Sequence, residues 1–266
     1  MILKWAGGKR QLLPKILPLI PDDIETYWEP FFGAGAVHFA LQAKGYFKNA
    51  IVIDINIDLN YVFSVVQSRP HTLIKFLSEY KNTEEEYYRI RAWEPEDTVD
   101  RAARMIYLNR LCFNGLYRVN KSGKFNVPYG KYKNPTICNV EKILATHEAL
   151  KNTMLLYGDF EEYKSFIVTK KDFFYFDPPY LKVSDTSFTK YTKNDFTLDD
   201  HKRLAKCMFE LKDQGVKALL SNADVPIAHE LYEGLNIDIV QARRSINRNK
   251  DGRGKINELL VRNYTL

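Results

Sequence analysis

The chain predicts an α/β fold built on a mostly parallel sheet with one antiparallel edge, and three stretches carry that expectation. Residues 26–32 read as a strand that runs through Gly33-Ala34-Gly35 into a helical pattern at 36–41, the strand, glycine turn and helix of a βαβ unit. Phe174-Tyr175-Phe176 is an apolar run of the sort buried on both faces of a sheet, and Pro178-Pro179 stops it. Two last strands, near 237–242 and 258–264, are joined by one short connection, which makes them an antiparallel pair. At 266 residues and 45% hydrophobic composition the chain can bury one large core and a smaller lobe.

In order, Lys4-Trp5-Ala6-Gly7-Gly8-Lys9 sets two glycines between an aromatic ring and two cations. Glycines there let backbone N–H groups approach a ligand; the plainer alternative is a flexible leader. A helical pattern over 10–20 is broken at Pro14 and Pro18. The glycine turn after the first strand also lets a bound molecule come close. The phosphate fingerprint of a dinucleotide fold needs a third glycine where His38 stands, so no pyrophosphate is indicated. His38 itself lies in an apolar helical pattern and reads as structural. A second strand, 50–53, ends in Asp54, and an acid at that place accepts from ribose hydroxyls or from an amino group of a cofactor. Glycine turn and strand-end acid together fit a nucleoside-type cofactor.

From 57 to 111 the pattern is helical, with breaks at Pro70 and Glu94-Pro95, and Glu84-Glu85-Glu86 reads as a solvated first helical turn. Between Arg101 and Pro135 there are eight basic residues and no acidic one, interleaved with Tyr107, Phe113, Tyr117, Phe125, Tyr129 and Tyr132. Lys121-Ser122-Gly123-Lys124 lies between extended patterns at 116–119 and 125–127, so a basic, aromatic β-hairpin is expected. Such a hairpin can enter a DNA groove; a solvated cationic face is the alternative.

Regular alternation resumes with a helix at 140–150, a strand at 154–157 and the turn Gly158-Asp159-Phe160. The next strand delivers Asp177-Pro178-Pro179-Tyr180 at its carboxyl end, where open α/β sheets place ligands. A carboxylate, a carbonyl that no helix consumes and a flat ring with a polar tip can grip a planar ring bearing an amino group. Taken alone the tetrapeptide is equally a strand ending in an Asp-Pro turn. A polar loop at 182–197 follows, long enough to be a lid or clamp. Then come a helix at 198–214 stopped by Gly215, a strand at 216–220 leading to Ser221-Asn222, and a helix at 226–232. The connection 243–255 between the last strands holds six basic residues against one acid.

An excess of 39 Lys and Arg over 33 Asp and Glu, with pI near 9.0, suits a polyanionic partner. Cys112, Cys138 and Cys207 are widely spaced without a CxxC pair, so three reduced thiols are expected, with no disulfide framework and no cysteine zinc site. The first residues lack an apolar secretion core and no run has membrane-span length, which points to the cytoplasm.

KWAGGK, EPFFGAG, IDIN, NRLCFNGLYRVN with FNVPYGKYKNP, GDF and FDPPY, in this order along nearly the whole chain, resemble the Dam-type DNA adenine methyltransferases. The resemblance implies a Rossmann-like S-adenosylmethionine-dependent methyltransferase sheet with S-adenosylhomocysteine as product and no metal. Residues 1–56 and 136–266 would form the catalytic domain, and 57–135 an inserted helical and hairpin lobe for DNA target recognition. It assigns Trp5, Ala6, Gly7, Lys9, Phe32, Gly33, Ala34, Gly35, Asp54, Asp159, Phe160 and Asp177 to the cofactor. Asp177, Pro178, Pro179 and Tyr180 fall to catalysis, with Tyr180 stacking on a flipped-out adenine. Lys4, Asn114, Leu116, Arg118 and Pro128 match positions that read DNA in GATC-modifying members, and Phe113 stands where those carry an aromatic. Asn120, Lys121, Lys124, Arg243 and Arg244 complete the DNA-facing set. The implied partner is double-stranded DNA, bound by a monomer in the cytoplasm of a bacterium, or of a host if phage-encoded. An enzyme acting on cytosine in DNA or adenine in RNA is disfavoured by the basic hairpin and by Asp, not Ser, before Pro-Pro. A DNA-binding relative without catalysis is disfavoured by an intact Asp177 and Tyr180.

Overall fold

Seven strands, β1 (Ile24–Glu29), β2 (Phe47–Asp54), β3 (Thr153–Tyr157), β4 (Asp172–Phe176), β5 (Lys217–Ala223), β6 (Asn236–Arg243) and β7 (Lys255–Arg262), form one sheet in the order β3-β2-β1-β4-β5-β7-β6. The computed structural model describes residues 1–5, 7–181, 196–243 and 255–266. Strands β1 to β5 pair in parallel, and β7 runs antiparallel to both β5 and β6, the edge expected from the sequence. The helices are α1 (Leu13–Ile16), α2 (Ala36–Gln42), α3 (Ile57–Ser68), α4 (Pro70–Glu79), α5 (Glu84–Ala92), α6 (Thr98–Leu111), α7 (Val140–Ala149), α8 (Leu198–Asp213) and α9 (Pro226–Leu231).

Strand β4 is buried at every position, because both faces of the sheet are covered. Its alternate residues serve different cores. Phe173 and Tyr175 join Ile16, Val37 and Leu41 on one face, while Phe174 and Phe176 join Leu204, Met208 and Leu211 of α8 on the other. A third core gathers Val52 of β2, Leu59, Val62 and Phe63 of α3, Ala102 and Ile106 of α6, and Ile143 of α7. The local signals agree with these boundaries. Asn56 and Asp97 cap α3 and α6 through their carboxyl or amide oxygens, and a Thr197–Asp200 capping box opens α8.

Three expectations change. The helix foreseen over 10–20 is a 3-10 turn (Lys9–Gln11), the short α1 and a second 3-10 turn (Leu17–Leu19), since Pro14 and Pro18 each withhold an amide hydrogen. The first strand stops at Glu29, ahead of Pro30, and does not reach Phe32. The hairpin at 116–127 is not a strand ladder: one isolated bridge, Val119 to Phe125, and a few hydrogen bonds close a two-legged loop. Its legs face the lobe and not a third strand, so nothing extends the pairing. The lid foreseen at 182–197 lies, but for Phe196 and Thr197, outside the described residues, as do Ala6 and the connection 244–254 with Arg244. Arg243 belongs to β6 by its backbone, and its side chain is likewise outside the described set. Cys112, Cys138 and Cys207 are free thiols. No helix among the described residues is long and apolar enough to cross a membrane.

Candidate active site

Strands β1 and β4 are neighbours whose onward connections lead to opposite sides of the sheet, β1 to β2 and β4 to β5. Their carboxyl ends therefore leave a crevice at a topological switch point. Asp177 stands there, one residue past β4, with 18% of its side chain exposed, and the Lys9 ammonium lies 2.7 Å from its Oδ1. Lys9 is itself buried, donates 2.8 Å to the Gly7 carbonyl, and sits 4.6 Å from the centre of the Tyr180 ring. The Tyr180 hydroxyl donates to Glu258 Oε2 of β7 at 2.7 Å, and the next amide, Leu181 N–H, donates to Asn222 Oδ1 at 3.1 Å. Burial pushes the Asp177 carboxyl up to about 6, against the pull of Lys9 and with a further push from Glu258.

The glycine turn closes the other side. Gly33 (φ +53°) and Gly35 (φ +71°) both occupy the left-handed region. A Cβ on Gly33 would come within 3.2 Å of the Trp5 ring, and one on Gly35 within 2.8 Å of both Phe32 and Phe39. Asp54 accepts Gly33 N–H at 2.7 Å and Asn56 N–H at 2.8 Å. Burial raises its carboxyl to about 6 while those two donors hold it down. Glu29, at the end of β1, accepts from the Tyr27 hydroxyl and from His38 N–H near the start of α2, and burial lifts its carboxyl well above the usual range. His38 is buried against Thr153, its basicity lowered to about 3, which agrees with a structural residue. Asp159 is tied to Arg203 of α8 at 2.6 Å, and Arg203 lies over the ring of Phe160, which stacks on Phe31.

These residues fit a nucleoside-sulfonium cofactor: a turn with no room for side chains, the Trp5 edge beside it, and a half-buried carboxylate whose oxygens each keep lone-pair capacity after their backbone bonds. Trp5 also meets Tyr117 (ring centroids 5.1 Å apart), and Tyr117 donates to Asp58 of α3. Trp5 thus brings the N-terminal segment directly against residues of the 57–135 segment.

In the same N-terminal segment Lys4 is latched to α6, its N–H donating to Asn109 Oδ1 at 2.8 Å and its carbonyl accepting from Asn109 Nδ2 at 2.7 Å. Its ammonium lies 4.9 Å over the Tyr132 ring. Phe113 is half exposed, and Asn114 has φ +56°. The Arg118 guanidinium is held by Asn126, with Nε 2.7 Å from Oδ1 and a second bond to the Asn126 carbonyl. The Asn120 oxygen closes the tip by accepting from Ser122 and Lys124 N–H. Lys121 is exposed, Lys124 pairs with Glu94, and the Pro128 carbonyl accepts Phe113 N–H. Leu116 is half-buried against the cluster of Tyr87, Tyr107 and Phe125.

The structure brings Asp177, Tyr180 and Lys9 together at one point and Trp5, Gly33 and Asp54 at another. The Asn120 oxygen is spent on closing the loop tip, and the Lys124 ammonium is paired with Glu94. Glu258, Asn109 and Arg203 were not anticipated. Glu258 and Tyr180 are 78 residues apart, and an acid in a strand pattern carries no mark of the ring it meets. A concavity of about 530 Å³ lies among Glu25, Trp28, Phe166 and Asp172, toward the amino ends of β1 and β4 and away from this chemistry.

Residues 5–246 match the family described as D12 class N6 adenine-specific DNA methyltransferase. The chain is similar to the type II methyltransferase M.MjaIII of Methanocaldococcus jannaschii, 45% identical over 98% of each chain. It is 41% identical to the type II methyltransferase M1.LlaDCHI of Lactococcus lactis subsp. cremoris, covering 98% of this chain and 94% of that one. Against the DNA adenine methylase of Escherichia coli it is 36% identical over 97% of this chain and 93% of the relative.

Proposed function

Since the chain belongs to the D12 class N6 adenine-specific DNA methyltransferases, we propose that its crevice at Asp177 is where a DNA adenine, flipped from the duplex, accepts a methyl group on N6. The enzyme is an S-adenosylmethionine-dependent adenine-specific DNA methyltransferase. The observation that carries the placement is the largely enclosed Asp177, 18% exposed, paired with buried Lys9 beside the Tyr180 ring at the switch point of the sheet.

The adenine amino nitrogen is a weak nucleophile because its lone pair is delocalised into the ring. Asp177 and the Pro178 carbonyl are acceptors for its two N–H bonds, which turns the lone pair out of conjugation and toward the donor. S-adenosylmethionine supplies an electrophilic methyl group on a sulfonium when bound. Trp5, the Gly33-Ala34-Gly35 turn and Asp54 would hold its nucleoside part, with Gly7, Phe32, Asp159 and Phe160 around it. As the N–C bond forms, positive charge grows on the nitrogen, and the Asp177 carboxylate already stands beside it. Lys9 keeps Asp177 ionised in a site whose burial favours the neutral acid. The alkylated amine is acidic, so its proton leaves without a strong base. Tyr180 offers its ring to the face of the extruded base.

Residues 57–135 act in this reading as the insertion that reads the target, and GATC is the proposed sequence. Support comes from the acid-free basic run, the exposed Phe113, and the Arg118 fork already oriented by Asn126. Transfer of labelled methyl from S-adenosylmethionine to DNA duplexes bearing every single-base variant of GATC, with matched RNA duplexes as controls, tests it. N6-methyladenine in GATC duplexes alone is expected; methylcytosine, or equal labelling of RNA, would overturn the reading.

A further inference from the structure

The resemblance gives Tyr180 a role through its ring, stacked on a flipped-out adenine. The structure gives the Tyr180 hydroxyl a fixed partner. Glu258 lies in β7, opposite Ala223 of β5 and Val240 of β6, and its Oε2 accepts from the Tyr180 hydroxyl at 2.7 Å. On the other side the ring is covered by the Lys9 ammonium at 4.6 Å, and the following peptide is anchored by Asn222. The ring follows two prolines at the end of a strand, where no helix or ladder fixes its side-chain torsions. A charge-assisted bond to a residue inside the sheet supplies that constraint.

We propose that Glu258 is a positioning residue for methyl transfer: it holds Tyr180 in the orientation that presents the ring to the flipped adenine beside Asp177. The inference rests on the Asp177 crevice being the methyl-transfer site. Glu258 does not touch the reacting atoms. Because the hydroxyl is spent on Glu258, the ring is already ordered before DNA arrives, and the base does not bear the entropic cost of ordering it.

The test is a double-mutant cycle on the full-length enzyme with S-adenosylmethionine and a GATC duplex. Kinetic constants and cofactor and DNA affinities would be measured for Glu258→Ala, Glu258→Gln, Tyr180→Phe and the Glu258→Ala/Tyr180→Phe pair. Glu258→Ala and Tyr180→Phe are each expected to lower kcat by roughly tenfold with DNA and cofactor affinity unchanged, the size of one lost hydrogen bond to a charged group. The pair should be no worse than either alone, since both remove the same contact. Glu258→Gln keeps an acceptor oxygen and should recover most of the rate. Losses that multiply in the pair, a Glu258→Ala enzyme as fast as the wild type, or a Gln variant as slow as Ala would overturn the proposal. Should Glu258→Ala not fold, Tyr180→Phe and Glu258→Gln decide it: a Tyr180→Phe enzyme at wild-type kcat removes the basis for a positioning bond. Failure of the site assignment reads differently, as an Asp177→Ala enzyme that still transfers methyl groups.

Discussion

Asp177 has a conflict built into it, since the crevice that makes it useful also favours its neutral form. Burial raises its carboxyl to about 6 and Lys9 restrains the rise. Only the carboxylate accepts both the amino hydrogen and the growing charge, so kcat is expected to climb as pH rises through about 6. Asp54 also sits at about 6, but its opposing partners are backbone amides and not Lys9. Lys9→Gln should therefore move the midpoint of the kcat–pH profile upward at saturating cofactor, by roughly one pH unit or more, because a cation has left the carboxylate. An unmoved midpoint would assign the titration to another group. Stability runs the opposite way. Both folded-state values lie above the unfolded Asp value of about 4, so their contribution to the fold is complete below about 4 and is lost as pH rises through about 6. Asp177→Ala is expected to cut kcat by roughly a thousandfold while DNA affinity stays within about threefold, because the lost contact acts mainly in the transition state. Rapid-quench rates and a binding titration on the same preparation check this.

The loop between α6 and the 136–139 segment is held by single contacts where a sheet would use a ladder, so individual residues matter more. Arg118 and Lys121 are both exposed cations on it, yet they are prepared differently. The Arg118 fork is aligned by Asn126, as bidentate reading of a guanine needs, whereas Lys121 stands at the tip. Arg118→Ala should lose discrimination at one guanine-containing pair, worth roughly 1 to 3 kcal/mol, with little change on unrelated DNA. Lys121→Ala should weaken binding to all sequences and reduce the salt slope by about 0.9. Methylation rates over all single-base variants of GATC separate the two, and a uniform loss in Arg118→Ala would make it a backbone contact. Gly115 is the tightest point of the loop. Its φ of +62° suits glycine, and a Cβ there would fall 2.4 Å from Lys4 Cδ and 2.9 Å from Lys4 Cβ. Gly115→Ala is expected to destabilise the enzyme by about 1 to 3 kcal/mol and to weaken DNA binding by displacing Lys4, both read from thermal unfolding and a binding titration.

Across the whole molecule, α6 joins the helices and loop between β2 and β3 to the sheet. Val99, Ala102, Met105 and Ile106 join Val52, Leu59 and Ile143, while Tyr107, Leu108 and Leu111 of the same helix build the core with Tyr87, Phe125 and Val127. A helix serving two cores leaves no dry seam between them. Lobe and sheet are therefore expected to unfold together. Urea titrations of single-tryptophan variants that keep either Trp28, in β1, or Trp93, just after α5, should share one midpoint and one slope. Two separated transitions would show that the lobe folds on its own core.

The alternation of strands and helices, the glycine turn, Asp54, the Asp177 tetrapeptide and the antiparallel edge were legible from the sequence because each is written in neighbouring residues. Periodicity and turn chemistry need only a few positions at a time. The broken start of the chain and the bare loop at 116–127 were less so, since prolines mark a break without saying what replaces it, and a pair of extended runs becomes a hairpin only if neighbours complete it. What tertiary structure alone decided is which side chains share a charge or a proton donor. Lys9 on Asp177, Glu258 on Tyr180, and Asn109 on Lys4 join residues 168, 78 and 105 positions apart. Such contacts arise from strand order and crossover, and short-range patterns do not encode them. The family likeness could carry residue types to the crevice. Burial sets the Asp177 carboxyl near 6 against the pull of the Lys9 ammonium, and that environment follows only from how the Lys9 turn and β7 are brought to the end of β4.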